Sequence, residues 1–287
     1  MDILFAPHNT HLDDPGAFEE RDPHLRQLQQ QALVHRSHLL EKFPEDKPGI
    51  FTLGGGRQIG KTTLMKQWMS LLLKHGIAPE RIAYLTGELI DDYHAMLRIL
   101  GETLNAMPGD HLCYLILDEV TYIRDWDKGV KYMADAGMLE RVGLFLTGSD
   151  LAIIKEARMR FPGRRGTEAT VDFHLYPLSL FEAIRLKHRF NPDELDRLVN
   201  AAASANTQII DALYEEFNHY LVHGGFLTAM NDLAKHNRIL PATFTTYSDW
   251  IRGDVLKRGK QDHYLREILQ SIVKRYGTQT TWNSLAQ

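Results

Sequence analysis

Eight residues constrain this chain more than any others: Gly55-Gly56-Arg57-Gln58-Ile59-Gly60-Lys61-Thr62. They match Gly-x-x-x-x-Gly-Lys-Ser/Thr at every fixed position. They also lie between an apolar run, Ile50 to Leu53, and a segment with Leu64, Trp68, Leu71 and Leu72 at helical spacing. The residue types explain the shape. Glycines let the backbone turn back on itself, so that successive N–H groups converge on one anion, and a helix starting there turns its positive end to the same point. Lys61 brings a point charge to the β- and γ-phosphates of a nucleotide, and the Thr62 hydroxyl is a ligand for Mg²⁺. The octet predicts a strand–loop–helix unit in which Gly55, Gly56, Arg57, Gln58, Ile59, Gly60, Lys61, Thr62 and Thr63 contact the nucleotide. Lys61 is expected to pack against nothing, so that its removal spares the fold. A chance glycine turn is the plain alternative, and the strand before and helix after it argue against chance.

The rest of the first 178 residues repeats that alternation. Ile82 to Thr86, Leu112 to Leu117, Val142 to Thr147 and Val171 to Leu175 read as further buried strands, and Asp91 to Leu104 as a helix. Trp126, Val130 and Met133 mark another helical face, with Trp126 as a core anchor. Continuous apolar strands separated by helices predict a parallel sheet covered on both faces, an α/β fold. At the N-terminus, Asp22-Pro23 is a helix start, with Asp as cap and Pro where its missing N–H costs nothing, and the helix is expected to reach about Lys42. After Pro177 the pattern is helical: Ser179 to Lys187, Pro192 to Ala203, Thr207 to Leu221, Phe226 to Lys235, Ser248 to Arg258, and a last amphipathic segment with Leu265, Ile268, Leu269 and Ile272.

Leu115-Ile116-Leu117-Asp118-Glu119 is an apolar strand ending in two carboxylates. Ligands of open α/β sheets bind at strand ends. Asp118 is placed to hold Mg²⁺ through its water shell, and Glu119 to orient or deprotonate an attacking water. Leu144 to Ser149 ends another buried strand in hydroxyls, so Thr147 and Ser149 are candidates to sense a γ-phosphate; the alternative is a helix cap for the segment near Asp150. Pro162-Gly163-Arg164-Arg165-Gly166 is a basic loop in which Arg164 is a candidate to stabilise transition-state charge. A solvated loop is the competing reading. Arg165 is expected to matter less.

Composition narrows the rest. A formal charge of −4 over 287 residues leaves no global footprint for nucleic acid or an anionic membrane. The single cysteine, Cys113, excludes an internal disulfide. The start Met1-Asp2-Ile3-Leu4-Phe5 lacks a basic leader and no run is long enough for a membrane span, so a soluble, cytoplasmic protein is expected.

Taken in order, Gly-Gly-Arg-Gln-Ile-Gly-Lys-Thr-Thr-Leu (55–64), Leu-Asp-Glu-Val (117–120), Asp125-Trp126, Leu-Thr-Gly-Ser (146–149), Pro-Gly-Arg-Arg-Gly (162–166) and Pro-Leu-Ser-Leu-Phe-Glu (177–182) resemble the AAA-like prokaryotic ATPase family common in archaea. Asp22-Pro23-His24-Leu25-Arg26 resembles its lead-in, and Tyr220 to Phe226 its Gly-Gly-Phe element. Gly56, Thr121 and Thr228 depart from the family's usual proline, glutamine, and proline or glutamate. The resemblance implies a P-loop NTPase sheet with an additional strand between the phosphate-loop and Walker B strands, followed by a helical domain. It implies ATP and Mg²⁺ as ligands, ATP hydrolysis, and homo-oligomers in which Arg164 acts on a neighbour. It also implies a winged-helix extension for a nucleic-acid or protein partner, whose opening Tyr276 to Gln287 resembles. The expected division is 1–48 (N-terminal arm and helix), 49–178 (ATPase domain), 179–258 (helical domain) and 259–287 (start of a winged-helix region in a truncated or short form). A nucleotide-gated binding or signalling protein with negligible turnover is the rival reading; a small-molecule kinase is disfavoured, since nothing resembles an acceptor-binding lid.

Overall fold

The computed structural model describes residues 3–149, 159–188, 191, 195, 207–257, 259, 261–275 and 281. The chain divides into two compact units, Met1–Leu227 and Thr228–Gln287.

The first unit is built on five parallel strands: β1 (Gly49–Gly54), β2 (Ile82–Thr86), β3 (Cys113–Asp118), β4 (Val142–Gly148) and β5 (Asp172–His174). Their order is β2-β3-β4-β1-β5, so β4 separates the phosphate-loop strand from the strand ending in Asp118. The α/β fold with an interposed strand is the one expected. Every residue of β1 to β4 is buried, as for strands covered on both faces.

Strand alternation gives the two faces different side chains. Phe51, Leu53, Ile82, Tyr84, Tyr114, Ile116, Phe145 and Phe173 share one core with Phe43 and Trp68. Ile50, Ala83, Leu85, Leu115, Leu117, Leu144 and Leu146 face the other, with Met96, Leu100, Val130 and Met133. One core is aromatic, the other mainly aliphatic. The N-terminal helices α1 (Phe18–Arg21) and α2 (Pro23–Gln29) and the long helix α3 (Lys61–Lys74) contribute Phe18, Leu25 and Trp68 to the aromatic side. Helices α4 (Tyr93–Ala106) and α5 (Trp126–Asp135) supply the aliphatic one. Trp126 is 5% exposed, a core anchor as expected.

Asp22 does cap α2, accepting from the N–H groups of His24 and Leu25. The helix, however, ends at Gln29 and does not reach Lys42. Gln29-Gln30-Gln31 offers no apolar face, and the chain breaks away to bury Leu39 and Leu40 through a short 3₁₀ turn, His38–Glu41, capped by Ser37. Farther on, α6 (Leu180–Leu186) opens on a capping box between Ser179 and Glu182, and α7 (Thr207–His223) follows.

Next come α8 (Leu227–His236), α9 (Pro241–Lys257) and α10 (Asp262–Lys274). Helix α9 begins seven residues before the expected Ser248. Pro241 sits at its start, and Asp232 accepts from the Leu240 N–H at 3.0 Å and the Thr243 hydroxyl at 2.6 Å; the β-branched residues Thr243, Thr245 and Thr246 hid that start from propensity. The helix expected over Pro192 to Ala203, and the opening resembling a winged helix, lie outside the described residues except for Leu195 and Thr281. Among the described residues no helix is long and apolar enough to cross a membrane.

Candidate functional site

The octet folds into a loop between β1 and α3. Gly60 caps the helix with φ 98°, a left-handed conformation that suits glycine. A Cβ on Gly55 would stand 2.5 Å from the Leu175 carbonyl oxygen, so the loop passes β5's exit where only glycine fits. Gly56 and Gln58 are exposed, Arg57 and Ile59 partly buried, and Thr62 and Thr63 half-buried in the first helical turn.

Lys61 differs from the expectation. It is 4% exposed rather than free of packing. Its ammonium donates to the carbonyls of Gly55 (3.2 Å) and Gly56 (3.0 Å) and lies 3.5 Å from Oε1 of Glu119. Burial pulls its pKa below the ordinary lysine value, and Glu119 and Asp118 oppose that pull. The lysine curls over its own loop, on carbonyls that a bound phosphate would replace.

Asp118, 2% exposed, ends β3 with both oxygens engaged. Oδ2 accepts from the Thr62 hydroxyl at 2.6 Å and from the Tyr84 phenol. Oδ1 accepts from the Thr147 hydroxyl and from the Glu119 N–H at 3.1 Å. Thr147 in turn accepts from the same Glu119 N–H at 3.1 Å. Glu119 sits at φ 50°, a strained backbone for a side chain of its size. Its Oε2 accepts from the Ser149 N–H at 3.2 Å. The ends of β1, β3 and β4 thus bring Lys61, Thr62, Asp118, Glu119, Thr147 and Ser149 into one cluster.

Arg164 is not in that cluster. It pairs with Asp135 at the end of α5. Nor is Arg165 a silent neighbour: it lies 2.6 Å from Asp172 and donates to the carbonyls of Ile50 (3.2 Å) and Val171 (3.0 Å) and to the Thr52 hydroxyl (3.3 Å). It staples β5 to β1.

The donor set fits Mg²⁺. That ion takes one or two protein oxygens, waters and substrate phosphates rather than an all-protein cage. Thr62 and Asp118 offer two hard oxygens in contact, and no cage of three or more His, Cys, Asp or Glu occurs among the described residues.

Sequence reasoning missed the groups behind Asp118. Tyr84 on β2 reads as one more apolar strand residue, yet its hydroxyl reaches the carboxylate. Burial, with Asp118 adding to it, pushes its pKa far above the ordinary phenol value. Lys66 on α3 is fully buried, its ammonium 3.2 Å from Asp22 and 3.7 Å from the centroid of the Tyr84 ring. The only available signal was a lysine set among Leu64, Met65 and Trp68.

Fold and cluster together define a P-loop nucleoside-triphosphate-binding protein, with the acidic strand one strand removed from the loop. Residues 47–184 match a family described as AAA domain. The chain is 25% identical over 257 residues to an uncharacterized protein of Haemophilus influenzae, covering 86% of this chain and 57% of that one. It is 27% identical over 222 residues to an uncharacterized protein of Methanocaldococcus jannaschii, covering 70% and 43%. It therefore spans about half the length of the curated relatives it matches. Among solved structures it is similar in fold to a Walker-type ATPase of Pyrococcus abyssi, with a TM-score of 0.53, 14% identity, and coverage of 86% of this chain and 79% of that one.

Proposed function

We propose that the chain binds ATP with Mg²⁺ and hydrolyses it to ADP and phosphate, as an AAA-like molecular switch. The observation carrying this reading is the convergence of Lys61, Thr62, Asp118, Glu119 and Thr147 at the carboxyl ends of three adjacent strands. Beside the loop, His35, Ile59, Leu175, Tyr176, Pro177, Leu178 and Phe226 line a small, mainly apolar hollow. On this reading the incoming phosphates draw Lys61 off its own carbonyls and away from Glu119, and the loop N–H groups take the β-phosphate. Thr62 and Asp118 would hold Mg²⁺, which offsets charge on the β- and γ-phosphates. Glu119, released from Lys61, accepts a proton as a water oxygen attacks the γ-phosphorus. The bond to the bridging β-phosphate oxygen breaks, and ADP departs with that electron pair. Thr147 and Ser149 then stand where the γ-phosphate can be sensed. Arg164 completes the proposal only by leaving Asp135 to serve a neighbouring copy.

Calorimetric titration of Lys61→Ala with ATP and Mg²⁺ tests the site, and most of the affinity is expected to vanish. Unchanged affinity in a folded variant would sink the assignment. A second reading has its own support. Glu119 is held by both Lys61 and Ser149, which suits a nucleotide-gated binding protein with negligible turnover. Steady-state phosphate release separates the two. In either case the partner, protein or nucleic acid, is proposed to act through the C-terminal region.

A further inference from the structure

Between Ile82 and Leu85 every residue of β2 is apolar except Tyr84, which is 2% exposed. A phenol buried this deeply needs a partner for its O–H. It donates to Oδ2 of Asp118, the same oxygen that accepts from the Thr62 hydroxyl. The ring and backbone are fixed from elsewhere. The Lys66 ammonium lies 3.7 Å from the ring centroid, balanced by Asp22 at 3.2 Å. The Asn9 side-chain amide donates to the Tyr84 carbonyl at 2.7 Å and accepts from its N–H at 2.8 Å. Only the hydroxyl touches the proposed nucleotide site, and the groups behind it leave it little freedom to turn.

We propose that Tyr84 is a positioning residue for the metal. Its O–H fixes the orientation of the Asp118 carboxylate, so that this group faces the water shell of Mg²⁺ once Thr62 has turned its own hydroxyl to the ion. The inference rests on the ATP–Mg²⁺ reading above. Its physical basis is the general one for partners behind a metal ligand. A carboxylate held by a second hydrogen bond presents its oxygens in one direction, and losing such a partner costs about 10–100-fold in metal affinity. The N-terminal segment gains a role by the same geometry, because Asn9 and Asp22 help to set the tyrosine.

The test compares ATP affinity with Mg²⁺ and with EDTA, in wild type and in Tyr84→Phe, which keeps the ring under Lys66. Affinity in EDTA is expected to be unchanged, while the Mg²⁺-dependent gain falls about tenfold. The midpoint of a Mn²⁺ titration followed by electron paramagnetic resonance should rise by the same factor. A purely space-filling tyrosine would shift both affinities together or neither, and either result overturns the proposal. Tyr84→Leu, which also removes the donor, should repeat the loss. If both variants unfold, the contact is structural and the positioning role falls. Wild type lacking any Mg²⁺-dependent gain would instead overturn the ATP–Mg²⁺ reading, and this inference with it.

Discussion

The two faces of the sheet solve the same burial problem with different side chains. Under α3, Trp68 packs on Phe145 at 4.2 Å between ring centroids and edge-on to Tyr114 and Phe43 at 5.6 and 5.8 Å. On the opposite face, α4 and α5 bury Met96, Leu100, Val130 and Met133 against Leu115, Leu117, Leu144 and Leu146. Aromatic rings interlock with preferred orientations, while aliphatic chains slide and repack more readily. The aromatic face is the one that carries the phosphate loop, because the first residues of α3 are Lys61 and Thr62. Orientation-dependent ring packing lies beneath the loop, and aliphatic packing on the far side.

That contrast can be broken most directly at Trp68. Trp68→Ala is expected to cost about 3–5 kcal/mol of stability and to weaken ATP binding in the protein that still folds; chemical denaturation and calorimetry read the two losses. Leu100→Ala on the aliphatic face should cost about 2–4 kcal/mol yet leave ATP affinity where it was. Equal losses of affinity in both variants would erase the distinction.

Arg165→Ala comes next. It removes the cation beside Asp172, whose side chain is 10% exposed and still accepts from the Thr52 hydroxyl at 2.6 Å, and a loss of about 2–3 kcal/mol follows from taking the opposite charge away from a mostly buried carboxylate. Acid supplies a subtler probe. Burial pulls His11 and His8 below the free histidine value of 6.5, and His11 packs edge-on against Phe18 of the aromatic core. Below pH 6.5 the unfolded chain takes up protons that these rings refuse in the folded state, so stability falls as pH falls. Amide exchange in α1 and α2 should therefore quicken before exchange in α5; the reverse order would contradict the assignment. The smallest effect is expected at Arg164. Its pair with Asp135 is half-exposed on the acidic side, 32% and 46%, so Arg164→Ala should change stability by less than about 1 kcal/mol. Any larger effect on turnover, restored by mixing with Lys61→Ala, would then report a contact across two subunits.

Strands and loop were legible because each depends on local chemistry. Runs such as Leu115-Ile116-Leu117 have nowhere to go but a covered sheet, and Gly55 and Gly60 carry their geometry in their residue type. The end of α2 was not legible. Asp22-Pro23 marks a start, but what stops the helix is the competing burial of Leu39 and Leu40, a tertiary matter. The pairing of Lys66 with Asp22, and the reach of Tyr84 to Asp118, were hidden for the same reason. Each joins residues tens of positions apart, and neither a lysine in a helix nor a tyrosine in an apolar strand announces a partner. The curl of Lys61 onto its own loop was likewise invisible, since a motif names what a side chain binds and not where it rests.

Asn9 has a consequence beyond the nucleotide site. In the order β2-β3-β4-β1-β5, β2 is an outer strand, and an outer strand presents unpaired backbone groups on which another chain can align. Asn9 answers both groups of Tyr84 with its amide, and His11 meets the Ile82 carbonyl at 3.0 Å. Two side chains thereby imitate a sixth strand without offering a seventh position to extend. Sheet growth by intermolecular pairing is blocked on that flank by residues that contribute no strand of their own. Loss of the Asn9 amide should thus show itself first as a tendency of the folded protein to self-associate through β2.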